Sequence, residues 1–342
     1  MRNRQVCDSD TKLDPDASDE LCRVLDTQPK TGAVGGDVKI LNEGDSFISF
    51  LSSLRYWMAF NVERTCQSYF GCVSCISGPL GLYRNVWLQE LLDLWSDQQF
   101  LGAVCTLGDD RHLTNRMLQL GHETKYTASS VCLTETPSLY LRWLSQQIRW
   151  SKSFFREWLF NSMWWHKHHV WMAYESIVSG AFPFFVTATV ITMFWSGRLW
   201  SIVWILLSIQ GIGLVKGFFA CLIRRSPIMF FISLYSCLYM TSLLPAKFFA
   251  MATMTKKGWG TSGRKNILKS YNALIPVIVW GAVLIPGLLY TATVDLQKAE
   301  DKNIPQKELL YLLVGCCLYV VYWFALVTIW KYLISTASEN IK

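Results

Sequence analysis

The sequence predicts an α/β domain, then amphipathic interface helices, then an α-helical transmembrane domain with four crossings. Two observations carry this: the charges of the 342 residues crowd into the first half, and apolar runs at 171–194, 199–222, 271–294 and 309–330 each reach the ~20 residues that a bilayer crossing requires. A fifth run, 228–254, is interrupted by Pro245 and Lys247. Arg224 and Arg225 precede it, and Lys256, Lys257, Arg264, Lys265 and Lys269 follow it without an acid. Basic flanks mark the cytoplasmic side, so this run reads as an interfacial or re-entrant helix. Both chain ends then lie inside.

Within residues 1–135, short β-like runs alternate with helical stretches. Gln5, Val6 and Cys7 read as a short strand, and the Asp-Ser-Asp triplet that follows reads equally as an acidic turn or as an N-cap for a helix from about Asp16. Val34–Ile40 reads as a strand, Ile48–Tyr69 as an aromatic-rich amphipathic helix and Cys75–Tyr83 as a Gly/Pro turn region. Gln89–Phe100 and Asp110–Leu120 read as helices, the latter with the acidic first turn that the helix dipole favours. Residues 136–169 are helical and dense in Trp, Arg, Lys and His, as suits helices at a membrane surface, and 170–342 form the transmembrane region.

The net charge of +7 sits mostly at the membrane flanks, and the basic residues of the soluble half form no aromatic-interleaved stripe, which argues against nucleic-acid binding. Of eleven cysteines, Cys221, Cys237, Cys316 and Cys317 lie in membrane runs and the rest in the cytoplasmic part, so reduced thiols are expected. Residues 1–20 are polar and carry no cleavable signal. Cys72 and Cys75 form a C-x-x-C without a second ligand pair, which speaks against zinc. His166, His168 and His169 sit among Trp residues and read as headgroup-level side chains.

Chemistry concentrates in three places. Asp8-Ser9-Asp10 offers two carboxylates to a divalent cation, because hard cations take oxygen ligands. Gly108-Asp109-Asp110-Arg111 places a second carboxylate pair at a helix start, and Gln146-Gln147-Ile148-Arg149-Trp150 lies on an amphipathic helix. A metal pair, a base and an Arg/Trp for diphosphate and sugar make a complete inverting sugar-transfer site.

These motifs, with Gly35-Gly36-Asp37-Val38, Ser77-Gly78-Pro79-Leu80-Gly81 and Trp259-Gly260-Thr261-Ser262-Gly263-Arg264-Lys265, resemble the vertebrate hyaluronan synthases, nearest to the type 1 form. The resemblance implies a membrane-embedded, processive family 2 glycosyltransferase. It adds glucuronic acid and N-acetylglucosamine from UDP-GlcA and UDP-GlcNAc to a hyaluronan chain extruded across the plasma membrane. It implies that 1–135 is the C-terminal part of a cytoplasmic GT-A domain, with Asp8 and Asp10 at the diphosphate and Asp10 the direct ligand of Mg or Mn. Asp110, paired with Asp109, is the implied general base; Arg149 offsets leaving-group charge beside Gln146, and Trp150 stacks on the acceptor sugar. Cys105 is implied to lie beside the acceptor, although as a residue it reads equally as a small buried hydrophobe.

The basic loop 255–270 reads either as a lipid-contacting cluster or, by the resemblance, as a gating loop whose Trp259 and Arg264 close over UDP. Complete family members carry two membrane helices and the first strands of the fold before the Asp-Ser-Asp motif. The expectation is therefore a truncated chain with an exposed sheet edge and weak or no activity alone. Competing readings are a chitin or cellulose synthase relative, and a degenerate, non-catalytic partner that joins other synthases in homo- or hetero-oligomers.

Overall fold

The computed structural model describes residues 3–105, 107–256, 271–301 and 304–339. The chain divides into two units, 1–182 with 246–273, and 183–245 with 274–342.

The first unit is α/β, as expected. Its strands are β1 (Asn3–Val6), β2 (Lys12–Leu13), β3 (Thr31–Ile40), β4 (Gly81–Arg84), β5 (Gln99–Phe100), β6 (Ala103–Val104) and β7 (Glu123–Thr134). Five form one mixed sheet in the order β1-β4-β3-β7-β2, and β5 with β6 makes a separate hairpin. The centre is β3, antiparallel to β4 and parallel to β7. Every residue of β3 except Lys39 is buried, so it reads as a continuous small and apolar run rather than an alternating one. At Gly36 a side chain would meet Ser130 O at 2.6 Å, so the strand approaches β7 as only glycine allows.

The helices of this unit are α1 (Ala17–Thr27), α2 (Phe47–Met58), α3 (Thr65–Tyr69), α4 (Asn85–Ser96), α5 (Asp109–Gln119), α6 (Tyr140–Asn161), the first half of α7 (Val170–Phe194) and residues 246–252 of a later helix. Ala17, Leu21 and Leu25, one turn apart, bury α1 against the sheet. Ser46 and Ser49 cap α2 reciprocally. A π-helical stretch, Ala59–Arg64, joins α2 to α3, so the expected single helix over 48–69 carries a bulge that rotates Phe60 and Arg64.

Several expectations shift in detail. The helix expected over 89–100 runs over 85–96, and Gln99–Phe100 turns into a strand. β4 closes the region expected to be turn only, and the longest strand, β7, had no specific counterpart in the sequence reading. Its alternation is broken by exposed Ala128 and Ser129 at a bulge. Cys72 and Cys75 are both buried, with burial pushing their thiols up to about 12 and about 11. His168 Nε2 lies 2.7 Å from Leu118 O and the His169 ring stacks on Phe70, so among the described residues these histidines are packed rather than grouped around a metal.

The second unit holds the rest of α7, α8 (Leu199–Arg224), α9 (Ile232–Leu238), the first residues of α10 (Leu244–Ala252), α11 (Ile275–Glu300) and α12 (Gln306–Glu339). Five segments among the described residues are long and apolar enough to cross a membrane, including 227–252, which is broken into 3-10, α, π and α pieces. Polar ties fix the ends of the others. Thr291 Oγ1 donates to Phe194 O at 2.7 Å and accepts from Gly197 N; Asp295 accepts from Leu199 N at 2.6 Å; Lys298 donates to Gly197 O at 2.8 Å. The α7–α8 turn therefore meets the C-terminal end of α11. Trp204 donates to Tyr311 O and Gln210 to the Tyr319 hydroxyl, so α12 runs parallel to α8. α8 ends, and α11 begins, away from that cluster. The segment between them leaves and returns on one side, which accords with four crossings.

Candidate functional site

The Asp-Ser-Asp triplet follows edge strand β1 and bends in a turn closed by Thr11 N donating to Asp8 O at 3.2 Å. It is not a helix cap, since the residue before α1 is Asp16. Behind Asp8 lies Gly78, where an added Cβ would sit 2.7 Å from Asp8 Oδ1. The Ser77–Gly81 turn thus presses its backbone against the carboxylate. Partial burial raises Asp8 above the usual carboxylate range, reinforced by the charges of Asp10, Asp110 and Asp109 and opposed by Arg149. Five residues from three distant stretches of sequence share one electrostatic field.

The second carboxylate pair is held from every side. Gly108 takes the left-handed conformation, φ 76°, and starts α5. An added Cβ there would overlap Ser153 of α6, so the α5 N-terminus packs backbone-close against that helix. Arg156 of α6 donates to Leu107 O, Trp95 donates to Asp109 O at 3.0 Å, and Thr114 Oγ1 donates to Asp110 O at 2.8 Å while accepting from Ile76 N. The Asp110 carboxylate accepts from Arg111 N at 2.7 Å through Oδ1, and Cys75 Sγ–H points to Oδ2 at 3.6 Å. With its thiol held up at about 11, Cys75 stays a donor. Asp110 is half-buried and Asp109 exposed, so the first is the fixed and oriented member of the pair.

On α6, Arg149 and Trp150 lie one helical turn before Ser153 and so beside the α5 start. Trp150 is 37% exposed, its ring 6.2 Å from that of Tyr56. Tyr56 stacks on Phe60, over which the Arg64 guanidinium sits at 3.8 Å. Gln146, one turn earlier, holds a buried side-chain oxygen without a hydrogen-bond partner among the described residues. A buried unpaired acceptor is costly, which suits a side chain that completes its bonds with a ligand.

Cys105 follows the β5–β6 hairpin, its N–H donating to Gln98 O at 2.9 Å, and it lines a shallow hollow with Phe100, Leu107 and Arg156. Asp37, in the Gly-Gly-Asp-Val motif, is buried and accepts from the Tyr126 hydroxyl and from Asn61 Nδ2, each at 3.2 Å. Trp259 and Arg264 lie outside the described residues.

Sequence reasoning gave no role to Cys75, Gly78, Ser153 or Glu157. A signal was present for the last two: Ser153, Glu157 and Asn161 recur every four residues along α6 and all are buried. A polar stripe on a buried helix face needs partners, and here they are on α5 and around it.

The electrostatics fit a divalent cation in a limited way. Among the described residues no three His, Cys, Asp or Glu side chains are grouped so as to hold a metal ion. Asp8 and Asp10 are two carboxylates within one turn, the kind of oxygen donors a hard divalent cation takes, and the charge of Arg149 partly offsets theirs.

The chitin synthase family model matches residues 4–161. Human hyaluronan synthase 3 is 60% identical over 331 residues, which is 97% of this chain and 59% of that protein. Hyaluronan synthase 1 of Xenopus laevis is 60% identical over 93% of this chain and 54% of its own length. Hyaluronan synthase 2 of Heterocephalus glaber is 57% identical over 99% and 60%. These identities do not single out type 1. The chain is a homologue of the vertebrate hyaluronan synthases along almost its whole length, and it spans about three-fifths of theirs.

Proposed function

We propose that these residues form the catalytic part of a hyaluronan synthase, transferring GlcNAc and GlcA from UDP-GlcNAc and UDP-GlcA to a growing polymer. The packing of the Gly78 turn against Asp8, and of the α5 start with Asp109 and Asp110 against the helix that bears Arg149, carries this reading, with the charges of all these groups acting on Asp8 beside Asp10. Asp110 takes the proton of an acceptor hydroxyl, whose oxygen attacks the anomeric carbon as the bond to the UDP oxygen breaks. The α-linked donor yields a β-linkage, so one base suffices without a covalent intermediate. Asp8 and Asp10 would hold Mg or Mn, which would supply charge neutralisation to the diphosphate. Arg149 faces the departing charge, Gln146 offers its open oxygen, and Trp150 gives an aromatic face to the acceptor sugar with Cys105 nearby.

In this reading the transferase unit and both chain ends are cytoplasmic in the plasma membrane, 136–169 lies at the interface, 228–254 is re-entrant, and the polymer leaves through the helices of 170–342 among membrane lipids. The test is polymer formation and UDP release from both donors in membranes, with UDP binding measured with and without Mg or Mn. Asp110→Asn is expected to lower turnover by about 10³-fold while leaving UDP binding intact, since a general base contributes about 10²–10⁴. Undiminished turnover removes Asp110 from the role. The chitin synthase match favours one second reading: product from UDP-GlcNAc alone, resistant to hyaluronidase, would replace the first.

A further inference from the structure

Glu157 is 1% exposed, and no step proposed above uses it. Its carboxylate accepts from Gln98 Nε2 at 2.6 Å, Asn115 Nδ2 at 3.0 Å, His112 Nδ1 at 3.0 Å and its neighbour Arg156 Nε at 3.1 Å. Arg116 Nε donates to His112 Nε2 at 3.1 Å, so that nitrogen is an acceptor and the ring's proton sits on Nδ1, toward Glu157. Burial alone would push Glu157 up, yet the hydrogen bonds from His112 and Asn115 and the charges around it hold it below the usual carboxylate value.

The donors come from three places that matter. His112 and Asn115 lie on α5, within two turns of Asp110. Gln98 opens the 97–107 segment that carries the β5–β6 hairpin and Cys105, and Arg156 holds the far end of that segment at Leu107 O. The hairpin tip is open, with Leu101 80% exposed at φ 50°. One buried carboxylate therefore joins α6, which carries Arg149 and Trp150, to the base helix and to the acceptor-side hairpin.

We propose that Glu157 is a positioning residue for sugar transfer: acting through His112 and Gln98, it sets Asp110 and the Cys105 hairpin against Arg149 and Trp150. This rests on the reading of Asp110 as the base. Replacing the charged acceptor by an amide leaves His112, Asn115 and Gln98 competing for one neutral oxygen, and both joined elements loosen. The site's own donor-binding groups, Asp8 and Asp10, are outside this network.

The experiment compares the parent chain with Glu157→Gln, Glu157→Asp and Asp110→Asn in membranes. Glu157→Gln is expected to lower kcat at least ten-fold with KM for both UDP-sugars and UDP affinity within two-fold, and Glu157→Asp, which keeps the charge, to recover part of the loss. A second readout needs no turnover: alkylation rates of individual thiols by mass spectrometry. In Glu157→Gln, Cys75 beside Asp110 and Cys105 on the hairpin should react about ten-fold faster through local opening, with Cys132 in the sheet core unchanged. Unchanged rates at Cys75 and Cys105, or all three thiols rising together, overturn the positioning role. If instead Asp110→Asn transfers sugar normally, the base assignment fails whatever the thiols report.

Discussion

Substituting Gly108 by Ala tests the geometry of the site at its tightest point. Two costs can be read from the structure. Gly108 sits at φ 76°, where a β-carbon costs about 1–2 kcal/mol. That carbon also falls on the Ser153 side chain, well inside the 3.0 Å that real side chains keep, so α5 and α6 must part. Overpacking of this kind costs about 1–3 kcal/mol, giving a total of about 2–5 kcal/mol. In a unit of this size each kcal/mol lowers the melting temperature by about 2–4 °C.

The functional effect exceeds the loss of stability. Moving the α5 start by roughly 1 Å displaces Asp110 from its bonds to Cys75 and Thr114, and if Asp110 is the base, misplacement on that scale costs about a hundred-fold in rate. Sugar transfer in membranes and thermal unfolding of the detergent-extracted protein measure the two effects. The double variant Gly108→Ala/Ser153→Gly removes the overlap and keeps the backbone cost, so it should regain only the overlap part of the stability, about 1–3 kcal/mol less about 0.5–1 kcal/mol for a glycine inside α6, together with most of the lost turnover. A single variant with parental melting and turnover would refute the close packing of α5 on α6. So would a Ser153→Gly partner that restores nothing.

Three further outcomes follow from the same structure. Arg84 donates to Thr31 O at 2.8 Å and Gln28 O at 3.1 Å and also to Leu25 O, closing the C-terminal end of α1; Arg84→Ala should cost about 2–4 kcal/mol in thermal unfolding, because a hydrogen bond to a charged group contributes about 1.5–3 kcal/mol and these three are only part-buried or exposed, which lowers their sum. Asp37 is 4% exposed and burial raises it despite bonds from Tyr126 and Asn61. Between its ordinary and raised values the folded state holds a proton the unfolded chain has lost, so stability falls as pH rises through that window and stays low above it. Asp37→Asn should flatten that slope and melt no lower than the parent at neutral pH; an unchanged slope would remove Asp37 as its source. Single cysteines replacing Ser196 and Asp301 should label from one side of the membrane and one replacing Arg225 from the other, and labelling of all three from one side would contradict the helix arrangement.

Much of the molecule was legible in the sequence, and for identifiable reasons. The apolar runs and their basic flanks mark the crossings because hydrocarbon admits no unpaired charge. The Asp-Ser-Asp triplet, the Gly-Asp-Asp turn and the Gln-x-x-Arg-Trp helix stand out in the sequence because carboxylates, an arginine and an indole are the residue types that can carry chemistry. β7 was not legible, since its pattern breaks at the bulge and its apolar content is modest until β3 lies beside it. Nor was the start of α4, where Arg84 ends a strand and Asn85 begins the helix with no intervening turn.

The sequence by itself determined which groups could do chemistry: carboxylates in two pairs, an Arg and a Trp on one helix. It also determined that apolar helices follow them. Only the tertiary structure decided that Asp8 and Asp10 share a field with Asp109, Asp110 and Arg149, since those residues are separated by up to 141 positions along the chain; α5 packs on α6, and the Asp8 turn packs on the Gly78 turn. It alone distinguished Asp110, clasped by Arg111 N and Cys75, from exposed Asp109. Adjacent carboxylates are equivalent as letters; hydrogen bonds from distant residues make them different. The same holds for Glu157, which in sequence is one more acid on an amphipathic helix and in the fold is the buried acceptor for four side chains.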